Sequence, residues 1–264
     1  MAIGKKRKRI VGKNPSLYYG ANAHKRVILL NWKIIFNIIK YLLLIVLIGY
    51  ITIYSDVFKI KDIVVSGNLT VDSQRIIELI PKDSNLFFTD SSKIEQKIMT
   101  NIPEINSLKI YKGLPNAIKI GIQENIPALL WISNGEEYLI SDQGLAYKKV
   151  TNDSSQYNDL PRITDNKNIS YNVPHRIVTS NYVSFIQYIF KNIYSETNIE
   201  PDTFYINETT VDLFLKTKSG IYIKFDSLRS PSQQLKNLKM VIMEKRPEIL
   251  EYVDLRINGW AYFK

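Results

Sequence analysis

Nucleophilic and metal chemistry find little to work with in this chain, which has no cysteine and only two histidines, His24 and His175. Without a thiol there are no disulfides, no thiolate metal sites and no cysteine nucleophile, which excludes sortase-like chemistry. His175 stands beside Pro174 in a predicted loop or helix start, where it reads as a surface residue or a cap. No second histidine, and no triad spacing, accompanies it. Ser55 follows an apolar run, as the nucleophile of a membrane-anchored signal peptidase does, and lysines are plentiful enough to imagine a Ser-Lys dyad. No sequence context of that enzyme class surrounds it. The pair Glu136-Glu137 falls in a predicted turn, where both carboxylates are solvated. The expectation is therefore no catalytic residue, no cofactor, no metal and no small-molecule substrate. Binding chemistry is better represented: Tyr252, Arg256 and Trp260, three residue types enriched in interface hot spots, lie within nine residues. A short strand late in a chain tends to lie at a sheet edge, where free N–H and C=O groups can accept a partner's strand. The same trio equally suits ordinary packing of an edge strand.

The elements that must position these residues begin with a charge asymmetry. Lys5, Lys6, Arg7, Lys8, Arg9, Lys13, Lys25, Arg26, Lys33 and Lys40 put ten cations in the first 40 residues, and no acid precedes Asp56. Residues 41–264 hold 25 Lys and Arg against 25 Asp and Glu, so the rest of the chain is neutral. A basic leader before the uncharged run 41–54 is the pattern of a membrane span with its positive end in the cytoplasm. That run is 14 residues, short of the roughly 20 a bilayer requires. Extending it back to Ile34 supplies the missing turns, with Lys40 snorkelling to the cytoplasmic headgroups. The expected span is 34–54, after a leader 1–33 that lies against anionic lipid of the inner membrane. A cleaved signal peptide needs small residues at its end, and 49–55 offers no such site. A buried core helix does not explain so basic a leader. Because the charge is confined to that leader, nucleic acid is not expected as a partner.

The first folded unit, 56–124, reads as β-α-α-β-β. Phe58-Lys-Ile60-Lys-Asp-Ile63-Val-Val65 is a strand with one buried face, ended by Gly67-Asn68. Thr70 is placed to cap a helix carrying Ile76, Ile77, Leu79 and Ile80, stopped by Pro81. Ser92-x-x-Glu95 has capping-box spacing and opens a second helix with Ile94, Ile98, Met99 and Ile102 on one side. Two strands follow, one with Leu108 and Ile110 on a face and one with Ile118, Ile120 and Ile122, joined by the loop 112–116.

The second unit, 125–264, starts as a meander. Strands at 129–132, 138–140 and 145–147 are separated by the turns Ser133-Asn-Gly-Glu136 and Ser141-Asp-Gln-Gly144. Residues 151–172 are polar and read as an exposed loop containing the local clamp Leu160-Pro-Arg-Ile163. A helix is expected near 174–194 from Val178, Tyr182, Ile186, Ile189 and Ile193. Two alternating strands, 211–215 and 221–225, form a hairpin. Ser230-Pro231 opens a helix through Leu235, Leu238, Val241 and Ile242, and the chain finishes with the strand at 252–255.

Several phrases in serial order resemble a known family: Val65-Ser-Gly67-Asn68, Asn85-Leu-Phe87, Ile102-Pro103, Leu114-Pro115-Asn116, Glu124-Asn-Ile-Pro127-Ala128 and, late in the chain, Tyr252-Val-Asp-Leu-Arg256. Together with their place after a single apolar span, they are similar to the FtsQ/DivIB bacterial cell-division proteins, with their POTRA domain. POTRA domains of outer-membrane assembly factors differ in ending in a long membrane barrel, and no later segment here supplies one. Where the family usually has an arginine after the acid of its E-R-x-P-like phrase, this chain has Asn125. The resemblance implies an α+β fold: a single transmembrane helix, a β-α-α-β-β POTRA domain, and a mixed β-sheet domain with flanking helices. It implies a non-enzymatic, single-pass scaffold of the division machinery, with its N-terminus cytoplasmic and its large domain extracytoplasmic at the septum. It implies FtsB/DivIC-like and FtsL-like partners, and places the first of these against Tyr252, Val253, Asp254, Leu255, Arg256 and the stretch Ile257 to Trp260. Some relatives carry an aromatic where this chain has Ile257. The second strand and hairpin of the POTRA-like unit are a further expected contact surface. A membrane-anchored envelope hydrolase and a POTRA-type periplasmic chaperone are the competing readings.

Overall fold

The computed structural model describes residues 32–151 and 154–264. The basic leader, up to residue 31, therefore lies outside the described residues. The described residues divide into two units, 32–52 and 53–264. The first carries helix α1, Trp32–Tyr54, whose 23 residues include no buried side chain. At 1.5 Å per residue it is about 34 Å long, enough for a hydrocarbon core of roughly 30 Å.

The second unit holds two sheets. The smaller is built from β1 (Asp62–Ser66), α2 (Ser73–Ile77), α3 (Ser91–Asn101), β2 (Ile105–Gly113) and β3 (Ala117–Glu124), in the predicted order. Its strands run β1-β3-β2, with β1 parallel and β2 antiparallel to the central β3. Ile118, Ile120 and Ile122 of β3 are all buried, as strict alternation requires, and meet Ile76, Ile94, Ile98 and Ile102 from the helices. Both helix caps differ from expectation. Asp72, not Thr70, caps α2 by accepting from Gln74 N at 2.9 Å. Thr70 is unavailable because its amide and hydroxyl both donate to the Glu124 carboxylate. Asp90, not Ser92, caps α3, accepting from Ser92 N at 2.9 Å, so the helix starts before the capping-box serine.

Glu124 is the fastener of this unit. Besides Thr70, its Oε1 accepts from Leu69 N at 2.7 Å and Val71 N at 2.9 Å, so the end of β3 holds the loop that leads into α2. Asn125 turns inward and is buried, donating from Nδ2 to Pro103 O at 2.9 Å and from its backbone N to Glu104 O at 2.7 Å. At this position the chain has a short internal staple.

The larger sheet has ten strands: β4 (Pro127–Ser133), β5 (Glu136–Ser141), β6 (Leu145–Val150), β7 (Arg162–Asp165), β8 (His175–Arg176), β9 (Pro201–Ile206), β10 (Asp212–Thr217), β11 (Tyr222–Asp226), β12 (Tyr252–Asp254) and β13 (Tyr262–Phe263). Their order is β13-β12-β11-β10-β9-β7-β4-β5-β6-β8. The pairs β4–β7, β7–β9 and β11–β12 are parallel and the others antiparallel, which makes the sheet mixed. Helices α4 (Ser180–Thr197) and α5 (Pro231–Lys245) pack on it, with Val183, Ile186, Ile189, Ile193, Leu235 and Leu238 in one core with Trp131, Phe204, Leu215, Phe225 and Val253. The meander is as read: Asn134 and Gly135 both have positive φ, the backbone that a two-residue hairpin turn needs.

Three elements depart from the sequence reading. The polar stretch 151–172 contains β7, which is not a loop but a central strand, paired on both sides and burying Ile163 and Asp165 completely. Asp165 tolerates burial because it accepts from Lys167 N at 3.0 Å and from the Tyr171 hydroxyl at 3.1 Å. Strand β9 lies beside it and was not anticipated. The helix begins at Ser180, capped by Thr179, six residues later than expected, because 175–176 pair with β6 as an edge strand. His175 is thus an exposed strand residue, stacked on the Tyr171 ring at 5.5 Å.

Candidate partner-binding end of the sheet

The residues singled out at 252–260 lie at one end of the ten-stranded sheet, and the elements around them are tightly tied. Ser230 caps α5 ahead of Pro231, and the fully buried Gln234 on its first turn accepts from Asp226 N and donates to Asp226 O, both at 2.9 Å. This fixes the end of β11 to α5. Strand β12 then adds to β11 in parallel, with Tyr222, Ile223 and Lys224 opposite Tyr252, Val253 and Asp254. Val253 and Leu255 point into the core and are fully buried.

Arg256 forms a fork on two acids. Its Nε and Nη2 donate to the Asp254 carboxylate at 3.0 and 2.7 Å, and its Nη1 donates to Asp212 at 3.1 Å. Burial raises the Asp254 carboxyl, but the hydrogen bonds and charge of Arg256 outweigh it and hold that group below the usual aspartate range. Lys224 Nζ sits 4.2 Å above the Tyr252 ring. The arginine is therefore first a clasp that joins β10 to the end of β12.

The three hot-spot candidates do not share one face. Tyr252 lies on the open side of the sheet and lines a groove of about 500 Å³ with Tyr205, Phe214, Tyr222 and Leu250. Trp260, two-thirds exposed, lies on the helix side, in a groove of about 350 Å³ with Met240, Val241, Lys245 and Phe263. Ile257 is half exposed.

The sequence reading placed the strand 252–255 at the sheet edge, and the structure corrects this. After Asn258 the chain reverses at Gly259, with φ +74°, and Tyr262–Phe263 pairs antiparallel with β12. The edge strand is β13. Arg229, which sequence reasoning passed over, pins the reversal by donating to Leu255 O at 3.1 Å and Asn258 Oδ1 at 2.8 Å. A glycine followed by alternating Trp-Ala-Tyr-Phe was the available signal for the extra strand. In the smaller sheet β2 is an edge strand, and Tyr111 on β2 and Leu114 in the following hairpin loop are exposed. Among the described residues, no group of three or more His, Cys, Asp or Glu side chains is placed to hold a metal ion.

Comparison with known proteins agrees with this architecture. The family model described as "POTRA domain, FtsQ-type" matches residues 58–125, the smaller sheet and its helices. The cell division protein DivIB of Clostridium tetani is 30% identical over 119 residues, 44% of this chain and 43% of that protein. The cell division protein FtsQ of Blochmanniella floridana is 25% identical over 241 residues, 87% of this chain and 85% of that protein. This chain carries an FtsQ-type POTRA domain and is similar to FtsQ/DivIB cell-division proteins. The match to the FtsQ of Hirschia baltica, 29% identical, covers 28% of that protein, so the chain spans less than half the length of several FtsQ/DivIB relatives it matches. Helix α1, ahead of the POTRA domain in the sequence, is long and apolar enough to cross a membrane and fits a single-pass membrane protein.

Proposed function

We propose that the chain is a non-catalytic, single-pass scaffold of the bacterial division machinery that binds an FtsB/DivIC-like protein, and with it an FtsL-like protein, to control septum formation and septal peptidoglycan synthesis. In this reading the leader 1–33 is cytoplasmic, 34–54 spans the inner membrane, and the POTRA domain 56–124 and β domain 125–264 face outward at the septum. The observation that carries it is the sheet end: a backbone edge flanked by exposed Ile257, Trp260 and Tyr262 beside the Arg256 clasp. Aromatic anchors beside a strand edge suit strand addition, in which backbone pairing supplies affinity and side-chain pockets supply specificity. Confinement of both proteins to one membrane raises their effective concentration.

The test is binding of the full chain, in detergent, to the extracytoplasmic segments of the FtsB/DivIC-like and FtsL-like proteins. Deleting everything after Glu251 would remove the fully buried Val253 and Leu255 and open the core. Trp260→Ala is the cleaner change, since the side chain is mostly exposed. We expect it to weaken binding by about 2 kcal/mol, the scale of an interface hot spot, with unfolding unchanged. Full affinity in Trp260→Ala and in Arg256→Ala would sink this site.

A further inference from the structure

The outer side of β12 is where an incoming strand would pair, and in the free chain residues 262–264 fill that position. We propose that Tyr262–Lys264 is a placeholder: the partner pairs with β12 by displacing β13, and the strand that fits is an extended segment bearing a bulky apolar side chain where Phe263 now sits. This rests on the strand-addition reading of the proposed function.

The backbone of the placeholder is complete, while its side-chain hold is light. Lys264 N donates to Tyr252 O at 3.1 Å, and Lys264 O accepts from Leu250, Glu251 and Tyr252 N at 2.8, 2.6 and 3.3 Å. These bonds satisfy an edge that would otherwise be open to any strand. The ladder itself is two residues long, Val253 opposite Phe263 and Asp254 opposite Tyr262. Tyr262 is half exposed, Phe263 only partly buried, and the Lys264–Glu251 ion pair at 2.9 Å lies in solvent, where such pairs contribute little. Val253 and Leu255 also belong to the core shared with Leu235 and Leu238 of α5, and β12 pairs with β11, contacts that do not depend on β13.

The release point is also built in. Arg229 holds the chain through Leu255 and Asn258, and the reversal begins at Gly259, just beyond that anchor. Residues 262–264 can swing out while β12 and Trp260 stay in place, and Phe263 then vacates the groove against α5. The pleat specifies the replacement strand: the residue opposite Val253 points to the core and must be apolar, and the next faces Asp254 and water. Because the tail is tethered, it competes at high effective concentration, and the partner's apparent affinity falls by the fraction of time the edge is free.

The absence of native cysteine makes a staple straightforward. Tyr252 and Lys264 exchange both backbone bonds, so Val253 and Phe263 form the neighbouring pair without them, with Cα atoms about 4.5 Å apart, within disulfide reach. The full chain carrying Val253→Cys and Phe263→Cys is compared oxidised and reduced, alongside a version ending at Ala261. The probes are a peptide with the sequence of residues 257–264 and the extracytoplasmic segment of the FtsB/DivIC-like protein. Removal of 262–264 should let the peptide bind and tighten the partner about tenfold or more, and oxidation of the staple should weaken both about tenfold or more relative to the reduced form. Equal partner affinity in the oxidised and reduced forms would overturn the proposal. So would loss of partner binding on removing 262–264 with the circular dichroism melt unchanged, since β13 would then be the platform. Peptide binding to the shortened chain, with no partner binding in any form, would leave the placeholder standing and overturn the division-partner reading instead. If the stapled protein does not fold, the shortened chain decides alone.

Discussion

Glu124 does at the end of β3 what a capping residue does from within a helix, but from 53 to 55 residues away in sequence. Burial raises its carboxyl, yet the Thr70 hydroxyl and the Val71, Leu69 and Thr70 amides hold it below the usual glutamate range. Hydrogen bonds made to the charged form set that sign. A group whose folded value is depressed stabilises the fold above its unfolded value and loses that contribution as the pH falls through the folded one. We therefore expect Glu124→Ala to cost about 1–2 kcal/mol at neutral pH, as loss of a cap does. The difference from the natural chain should shrink below about pH 4.3, the unfolded value. Urea unfolding at pH 7 and pH 3.5 measures this; a difference that grows on acidification would refute the latch. The Asp254 carboxyl, held down by Arg256, follows the same sign and adds to the acid sensitivity of the sheet end.

Among the elements, α5 and β11 show how one buried polar side chain can set a junction. Gln234 pairs with both backbone groups of Asp226 and so ties the strand end to the helix. Gln234→Ala leaves Asp226 N without its partner, while Asp226 O keeps the Arg229 amide at 3.2 Å, and we expect a loss of about 1–3 kcal/mol. Gln234→Glu should be nearly as costly, since a carboxylate accepts from Asp226 N but cannot donate to Asp226 O. Thermal unfolding of both variants checks this; a harmless Gln234→Glu would show that the donated bond is dispensable. Much at this scale was legible beforehand. Periodicity together with turn, cap and proline signals located the β-α-α-β-β order, the meander, the 211–225 hairpin and Ser230-Pro231 as a helix start. Strand β7 was not legible: a central strand reading Arg-Ile-Thr-Asp has one apolar residue, and Asp165 is acceptable inside only because Tyr171 and a backbone amide reach it. The helix caps failed for a related reason, since Thr70 had been claimed by a residue more than 50 positions away.

For the whole molecule, the proposed topology gives the leader and α1 the task of placing the folded part. If the proposed orientation follows the positive-inside rule, replacing Lys5, Lys6, Arg7, Lys8 and Arg9 with neutral residues weakens the signal that keeps the N-terminus in the cytoplasm. We expect a fraction of chains to insert reversed, with 53–264 inaccessible to protease added outside spheroplasts. Unchanged accessibility would mean that the folded domain, not the leader, sets the direction. At this scale too the candidate site is a composite, since the exposed groups at the sheet end come from α5, β12 and the reversal after Asn258.

What the sequence determined by itself were properties carried by local pattern. They are the apolar helix behind a basic leader, the alternation that makes each strand one-faced, the residue types near 252–260, and the serial phrases shared with FtsQ/DivIB proteins. Only the tertiary structure decided which strand is the edge, that Tyr252 and Trp260 face opposite sides, and that Arg256 is already engaged by Asp254 and Asp212. The physical reason is range: periodicity reports which side of a strand is buried, whereas strand order and charge pairing depend on which distant backbone or carboxylate arrives first.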